Sequence, residues 1–149
     1  SDDAINQWGI INFDNVKETT KDIVSEFDVR TPTLDNAAAS LSGGNLQKFV
    51  IGREILQKPR VFVVNQPTWG VDAAAAAFIR QSILNLASND SAVIVISQDL
   101  DELFEICDTF AVLTNGRMSK SHNIRSLSSE DVGLLMGGSD LDLKNHDTA

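Results

Sequence analysis

The chain is short of sulfur, of cations and of long apolar runs, and each shortage narrows what it can be. Its single cysteine, Cys107, rules out an internal disulfide. It fits a reducing compartment, where such a residue is expected to lie buried among apolar neighbours. Lys and Arg number 12 against 21 Asp and Glu, a net charge of −9. That balance leaves no basic face for phosphates and argues against nucleic acid as a partner. No stretch approaches the ~20 apolar residues that a membrane span needs. Residues 1–4 are polar or small and do not open a signal peptide. The two histidines, His122 and His146, stand alone without metal-ligand spacing and are expected on the solvated surface. No metal site is expected. Most informative of all, no G-x-x-x-x-G-K-[ST] phosphate-cradling loop occurs anywhere in the 149 residues.

What is present is enough apolar material, 42%, for one packed domain or part of one. The first residue is Ser1 rather than methionine, so the expectation is a piece of a longer polypeptide. Residues 14–28 read as a helix capped by Asp14, with Val16, Ile23, Val24 and Phe27 at helical spacing. Thr31-Pro32-Thr33 breaks it. A second helix spans about 44–57, with Leu46, Phe49, Val50 and Leu56 near one face and Pro59 as its stop. Residues 61–64 and 92–96 are fully apolar and predict strands buried on both faces. The helix between them, about 72–87, turns Ile79, Ile83 and Leu86 inward. A buried strand, a helix and a buried strand make the βαβ unit of a parallel sheet.

Further on, Asp99-Leu100-Asp101-Glu102 predicts a capping box opening a short helix. The acidic set Asp99, Asp101, Glu102, Glu105 and Asp108 reads as that helix's exposed face and capped start, without the ligand spacing of a calcium loop. Phe110 to Leu113 predicts a strand, Asn115-Gly116 a hairpin turn, and residues 130–136 a last helix. The fold class is α/β. The expected organisation is a helical subdomain (1–58), part of a parallel α/β core (59–137) and a polar tail (138–149).

Two motifs carry the functional signal. The first is Leu41-Ser42-Gly43-Gly44-Asn45-Leu46-Gln47-Lys48. Serine is a good helix cap, and it stands just before an amphipathic helix. Exposed backbone N–H groups at a helix start attract an anion, and two glycines let a phosphate approach the backbone closely. A bare Ser-Gly-Gly is usually an ordinary turn. Here a second motif follows one helix later, the strand and turn Val61-Phe62-Val63-Val64-Asn65-Gln66-Pro67-Thr68-Trp69-Gly70-Val71-Asp72.

In that order and spacing, the two motifs resemble the signature motif and Walker B region of an ABC-type ATPase. The resemblance runs from about residue 13 to 137. It is to the second, C-terminal nucleotide-binding half of a tandem simple-sugar or nucleoside importer ATPase, cut off before its phosphate loop. Phe27-Asp28-Val29-Arg30-Thr31-Pro32 and Gly133-Leu134-Leu135-Met136 are similar to the nucleoside-like branch. The resemblance implies a partial P-loop NTPase core in which ATP lies between two facing domains. Ser42, Gly43 and Gly44 would face the γ-phosphate held by the partner, with Asn45 and Gln47 along the same nucleotide edge. Asp72 would be the D-loop aspartate at the interface, besides capping its helix. Trp69 would pack on the partner domain or fill a gap in its own.

The resemblance also exposes departures. Walker B strands in the family usually end in Asp-Glu, the Asp helping to hold Mg2+ and the Glu polarising the attacking water. Here Asn65 and Gln66 are neutral amides, poor partners for a hard cation and unable to act as a base. Gln98 stands where the family usually has a switch histidine; it can hydrogen-bond a phosphate but cannot become a cation. All three point to a non-hydrolytic site on this chain's own side, with no intact catalytic residue. Deliberate carboxylate-to-amide replacement would also produce them, but would not explain the absent phosphate loop.

The implied role is to donate the signature motif to a partner's ATP site, at the cytoplasmic face of the plasma membrane. The partners would be the other nucleotide-binding half and transmembrane permease subunits. ATP and Mg2+ belong to the parent assembly, and neither is expected to bind the isolated chain. A non-catalytic interaction module derived from an ABC ATPase is the alternative. A soluble repair- or translation-type ABC ATPase fits less well, because basic clusters are absent.

Overall fold

Asn12, rather than Asp14, starts the first helix. In a computed structural model, which describes residues 11–138, helix α1 spans Phe13–Glu26, and the Asn12 side chain accepts from the backbone N–H groups of Asp14 and Asn15. Asp14 sits inside the first turn, where its charge favours the helix dipole. Helix α2 (Gly43–Ile55) follows after a loop and one 3-10 turn. Its buried residues are Ile51 and Gly52, whereas Val50 is exposed. The predicted stripe is therefore rotated. The cause is Gly52: it lets the Phe27 ring come so close that a Cβ there would stand 2.7 Å from two ring carbons. Phe27 in turn meets Phe78 edge-on, with ring centroids 6.0 Å apart.

Strand β1 (Val61–Asn65) pairs in parallel with β2 (Ala92–Ile96), in the register Val61↔Ala92, Val63↔Ile94 and Asn65↔Ile96. Helix α3 (Ala73–Ala87) connects them and buries Ala75, Ile79, Ile83 and Leu86. The βαβ unit is as the sequence predicts, but the strands are not buried on both faces. Phe62 and Val64 are buried, while Val61, Val63, Ile94 and Ile96 are 52–61% exposed. Among the described residues the pair has no third strand, and none of them buries that second face.

The boundary between two packed units falls between Gln98 and Asp99. In the second unit, helix α4 (Leu100–Ile106) is capped by Asp99, whose side chain accepts from the N–H of Glu102. Glu102 itself is 2% exposed, against the expectation of an exposed acidic face. In a helix this short it falls beside the inward-facing Leu103. Cys107 is half-buried rather than buried. Desolvation foremost, then the negative charges of Asp108 and Glu102, raise its thiol pKa above the ordinary value.

The predicted strand 110–113 is split in two. Strand β3 (Thr109–Phe110) pairs with β6 (His122–Asn123), and β4 (Leu113–Thr114) pairs with β5 (Arg117–Met118) around the predicted Asn115-Gly116 turn. Both turn residues have positive φ, as such hairpins require. Between the two pairs, Ser119 replaces the ladder. Its N–H donates to the Val112 carbonyl, and its Oγ accepts from the Val112 N–H. His122, expected in solvent, is buried opposite Phe110. Helix α5 (Ser129–Met136) opens on a full capping box of Ser128 and Asp131. His146 and all but the first residue of the proposed polar tail lie outside the described residues.

Candidate functional site

Ser42 and Gly43 lie exposed at the start of α2, with Gly44 half-buried behind them. Ser42 occupies the N-cap position with extended backbone, yet its side chain makes no capping bond. Its Oγ instead accepts from Asn45 Nδ2 at 3.0 Å, and Asn45 Oδ1 accepts from the Arg30 N–H at 2.9 Å. Asn45 thus pins the helix start to the segment after α1. The first turn carries no acidic side chain, so the positive end of the helix dipole is not neutralised there. Lys48 points elsewhere: its ammonium bonds Asp28 Oδ2 at 3.1 Å and lies 5.1 Å from the centroid of the Phe78 ring. The chemistry of this end is backbone N–H groups and a hydroxyl, a set suited to an anion such as a phosphate.

The second motif wraps against the first. Gln47 Nε2 donates to the Pro67 carbonyl at 2.8 Å across 20 residues of sequence. A Cβ on Gly43 would lie 3.5 Å from the Gly70 carbonyl oxygen, and one on Gly44 would lie 3.5 Å from Ala75 Cβ and 3.9 Å from Asp72 Oδ2. The glycines therefore allow close approach between α2 and the 70–75 segment. Asp72 caps α3, its Oδ1 accepting from the Ala75 N–H at 2.8 Å. Gly70, at φ +72°, makes the turn that leads into it. Trp69 projects from this turn and is 81% exposed.

Asn65, Gln66 and Gln98 stand at the carboxyl ends of the two parallel strands. Asn65 is exposed and pairs with Ile96. Gln66 holds a left-handed backbone, φ +50°, while its N–H bonds the Ile96 carbonyl at 2.7 Å. Gln98 follows β2 by two residues and is exposed. The carboxyl edge of a parallel sheet is where ligands bind in open α/β folds. The donor set there does not fit Mg2+, which takes carboxylate oxygens and not amides as charged ligands. Sequence reasoning missed the Arg30 backbone donor and the Gln47–Pro67 clamp. The Asp-Val-Arg-Thr-Pro break before the signature was the one visible sign of the former.

The fold is similar to that of about half of an ABC ATPase cassette. A dimeric cassette in a post-hydrolysis state bound to ADP and Pi superposes with a TM-score of 0.66 at 18% identity, over 80% of this chain and 51% of that one. A nucleotide-free cassette from an ABC transporter gives 0.64 at 23% identity, over 89% and 50%. Within that class, the homologues are ATP-binding proteins of sugar and nucleoside ABC importers. The galactose/methyl galactoside import ATP-binding protein of Mannheimia succiniciproducens is 35% identical over 128 residues, 86% of this chain and 25% of the relative. The guanosine import ATP-binding protein of Bacillus subtilis is 35% identical over 131 residues, 88% and 26%. The nucleoside import ATP-binding protein of Lactococcus lactis is 32% identical over 137 residues, 92% and 27%. The chain spans about a quarter of the length of these relatives. No protein-family model matches it.

Proposed function

We propose that this chain supplies the signature half of a composite ATP site in the ATP-binding subunit of a sugar or nucleoside importer. The observation that carries the reading is the exposed, acid-free start of α2 at Ser42 and Gly43, clamped through Gln47 to the turn that bears Asp72. On this reading Ser42, Gly43 and Gly44 meet the γ-phosphate of ATP held by the other nucleotide-binding half. Asn45 holds Ser42 in place, and Gln47 holds the turn before Asp72. The site on this chain's own side, with Asn65, Gln66 and Gln98, is non-hydrolytic. Asn65 has no negative charge to offer Mg2+, and Gln66 cannot take a proton from water.

The remaining partners are transmembrane permease subunits, and the place of action is the cytoplasmic face of the plasma membrane. Among the described residues no helix is long and apolar enough to cross a membrane.

The test is the asymmetry of the two sites, measured as ATP turnover of the full importer subunit in which this chain forms one part. Ser42→Arg puts bulk and charge where the phosphate docks and lowers turnover at least a hundredfold. Gln66→Ala leaves it within about threefold. Equal losses from both substitutions would sink the reading.

A further inference from the structure

A groove opens at the amino ends of β1 and β2, the far end of the strands from Asn65 and Gln98. Its walls are the last turns of α1, α2 and α3 and the segments that lead into the two strands, and its volume is about 930 Å3. That falls in the range of small-molecule sites, roughly 300–1,000 Å3. The rim is fixed by hydrogen bonds between those segments. Ser91 Oγ donates to the Pro59 carbonyl at 2.7 Å, and the Ala92 N–H donates to the Arg60 carbonyl at 2.9 Å. Lys58 and Asp90, one on each segment, both hold left-handed backbone, at φ +49° and +65°. Non-glycine residues kept in that conformation gather at functional sites.

The lining is rich in amides and balanced in charge. Helix α3 is 15 residues long and carries a single charge, Arg80. Into the groove it presents Gln81, Asn85 and Asn89, one turn apart on one face. Gln81 Nε2 donates to Asn85 Oδ1 at 2.9 Å, and Asn89 Nδ2 donates to the Asn85 carbonyl at 2.7 Å. Each amide has donors and an acceptor, so this ladder still offers Gln81 Oε1, Asn85 Nδ2 and Asn89 Oδ1 to a ligand. Phe78, half-buried, supplies an aromatic wall. Two carboxylates, Glu26 and Asp90, are matched by two cations, Lys58 and Arg60. Among the described residues none of these four forms an ion pair.

We propose that this groove binds a nucleoside. The amides offer donors and acceptors to the edge of a base, as Asn and Gln do with adenine. Phe78 offers a surface to the plane of the base, and a carboxylate accepts from ribose hydroxyls. Balanced charge gives no net attraction to a phosphate, so a neutral nucleoside fits better than a nucleotide. A hexose has hydroxyls for the carboxylates but no planar edge for the amides.

The groove lies at the opposite end of α2 from Ser42, and its ligand does not rest on the signature reading. The experiment titrates the whole isotope-labelled chain with adenosine and follows the side-chain NH2 signals of Gln81, Asn85 and Asn89 by NMR. The three signals shift and saturate together. Asn85→Ala and Gln81→Ala each weaken binding at least tenfold, while the far-UV circular dichroism of the chain persists. Galactose and AMP, titrated in the same way, bind at least tenfold more weakly than adenosine. Absence of a saturable shift at the three amides overturns the proposal, and so does unchanged affinity in both alanine variants. Equal or tighter binding of AMP or galactose overturns the assignment of a nucleoside. Shifts confined to the backbone amides of Ser42, Gly43 and Gly44 would place adenosine at the start of α2 and likewise overturn it.

Discussion

At Gly52 a hydrogen stands where any side chain would strike the Phe27 ring. The Cβ of alanine would meet Phe27 Cγ and Cδ2 at 2.7 Å and Ile23 Cγ2 at 3.1 Å. Both neighbours are buried. Gly52→Ala is expected to destabilise the chain by about 1–3 kcal/mol, as overpacking does. Gly133, inside α5, has nothing within 4 Å of the same position. Gly133→Ala is expected to stabilise by up to about 1 kcal/mol through helix propensity and a less disordered unfolded state. Urea midpoints of the two variants check both signs. Cys107 makes a third statement at this scale. Its thiol pKa is raised by burial and by Asp108 and Glu102, so less thiolate is present at neutral pH than in an unperturbed cysteine. Iodoacetamide should alkylate it more slowly than a cysteine in an unfolded peptide at pH 7.5. The rate should keep rising beyond the pH at which the peptide levels off. A rate equal to the peptide's throughout would contradict the assigned environment.

The α3 cap separates structure from interface at the scale of one element. Asp72 Oδ1 accepts from the Ala75 N–H, a bond that asparagine can also accept. Asp72→Asn is therefore expected to keep the thermal midpoint, and Asp72→Ala to cost about 1 kcal/mol. If Asp72→Asn nevertheless reduces ATP turnover of the importer subunit proposed above, its charge serves the proposed interface and not the helix. Elements of this kind were legible in the sequence, because a periodic apolar pattern and a capping residue are local. The βαβ unit, the Asn115-Gly116 turn and α5 all follow from such signals. What was not legible depended on neighbours. A run such as Val61–Val64 is apolar throughout whether one face or two is covered, and composition cannot tell which. The break between β3 and β4 arises from one hydroxyl, Ser119, taking a backbone place at Val112. His122 is buried because β6 pairs with β3, a contact that spacing alone does not reveal. For the site, the motif spacing revealed which residues gather at the start of α2, but not that Ser42 gives its oxygen to Asn45 instead of capping the helix.

As a whole molecule, the chain joins a helix start rich in backbone N–H groups to strand ends that carry Asn65, Gln66 and Gln98, and its sequence contains no phosphate loop. Titrated alone with Mg-ATP, it is expected to give no heat of binding in the micromolar range. Clear binding there would mean that some other group in this chain takes the place of the loop. The homologues include importers of both sugars and nucleosides at the same 35% identity. Those ATP-binding proteins thus share this scaffold across two classes of solute.

The Gln47–Pro67 bond gives the molecule a mechanical property. It is a strut between the first turns of α2 and the end of β1, and the close passage of Gly43 and Gly44 along the 70–75 segment lies beside it. A load applied to the start of α2 is therefore borne by the sheet as well as by the helix.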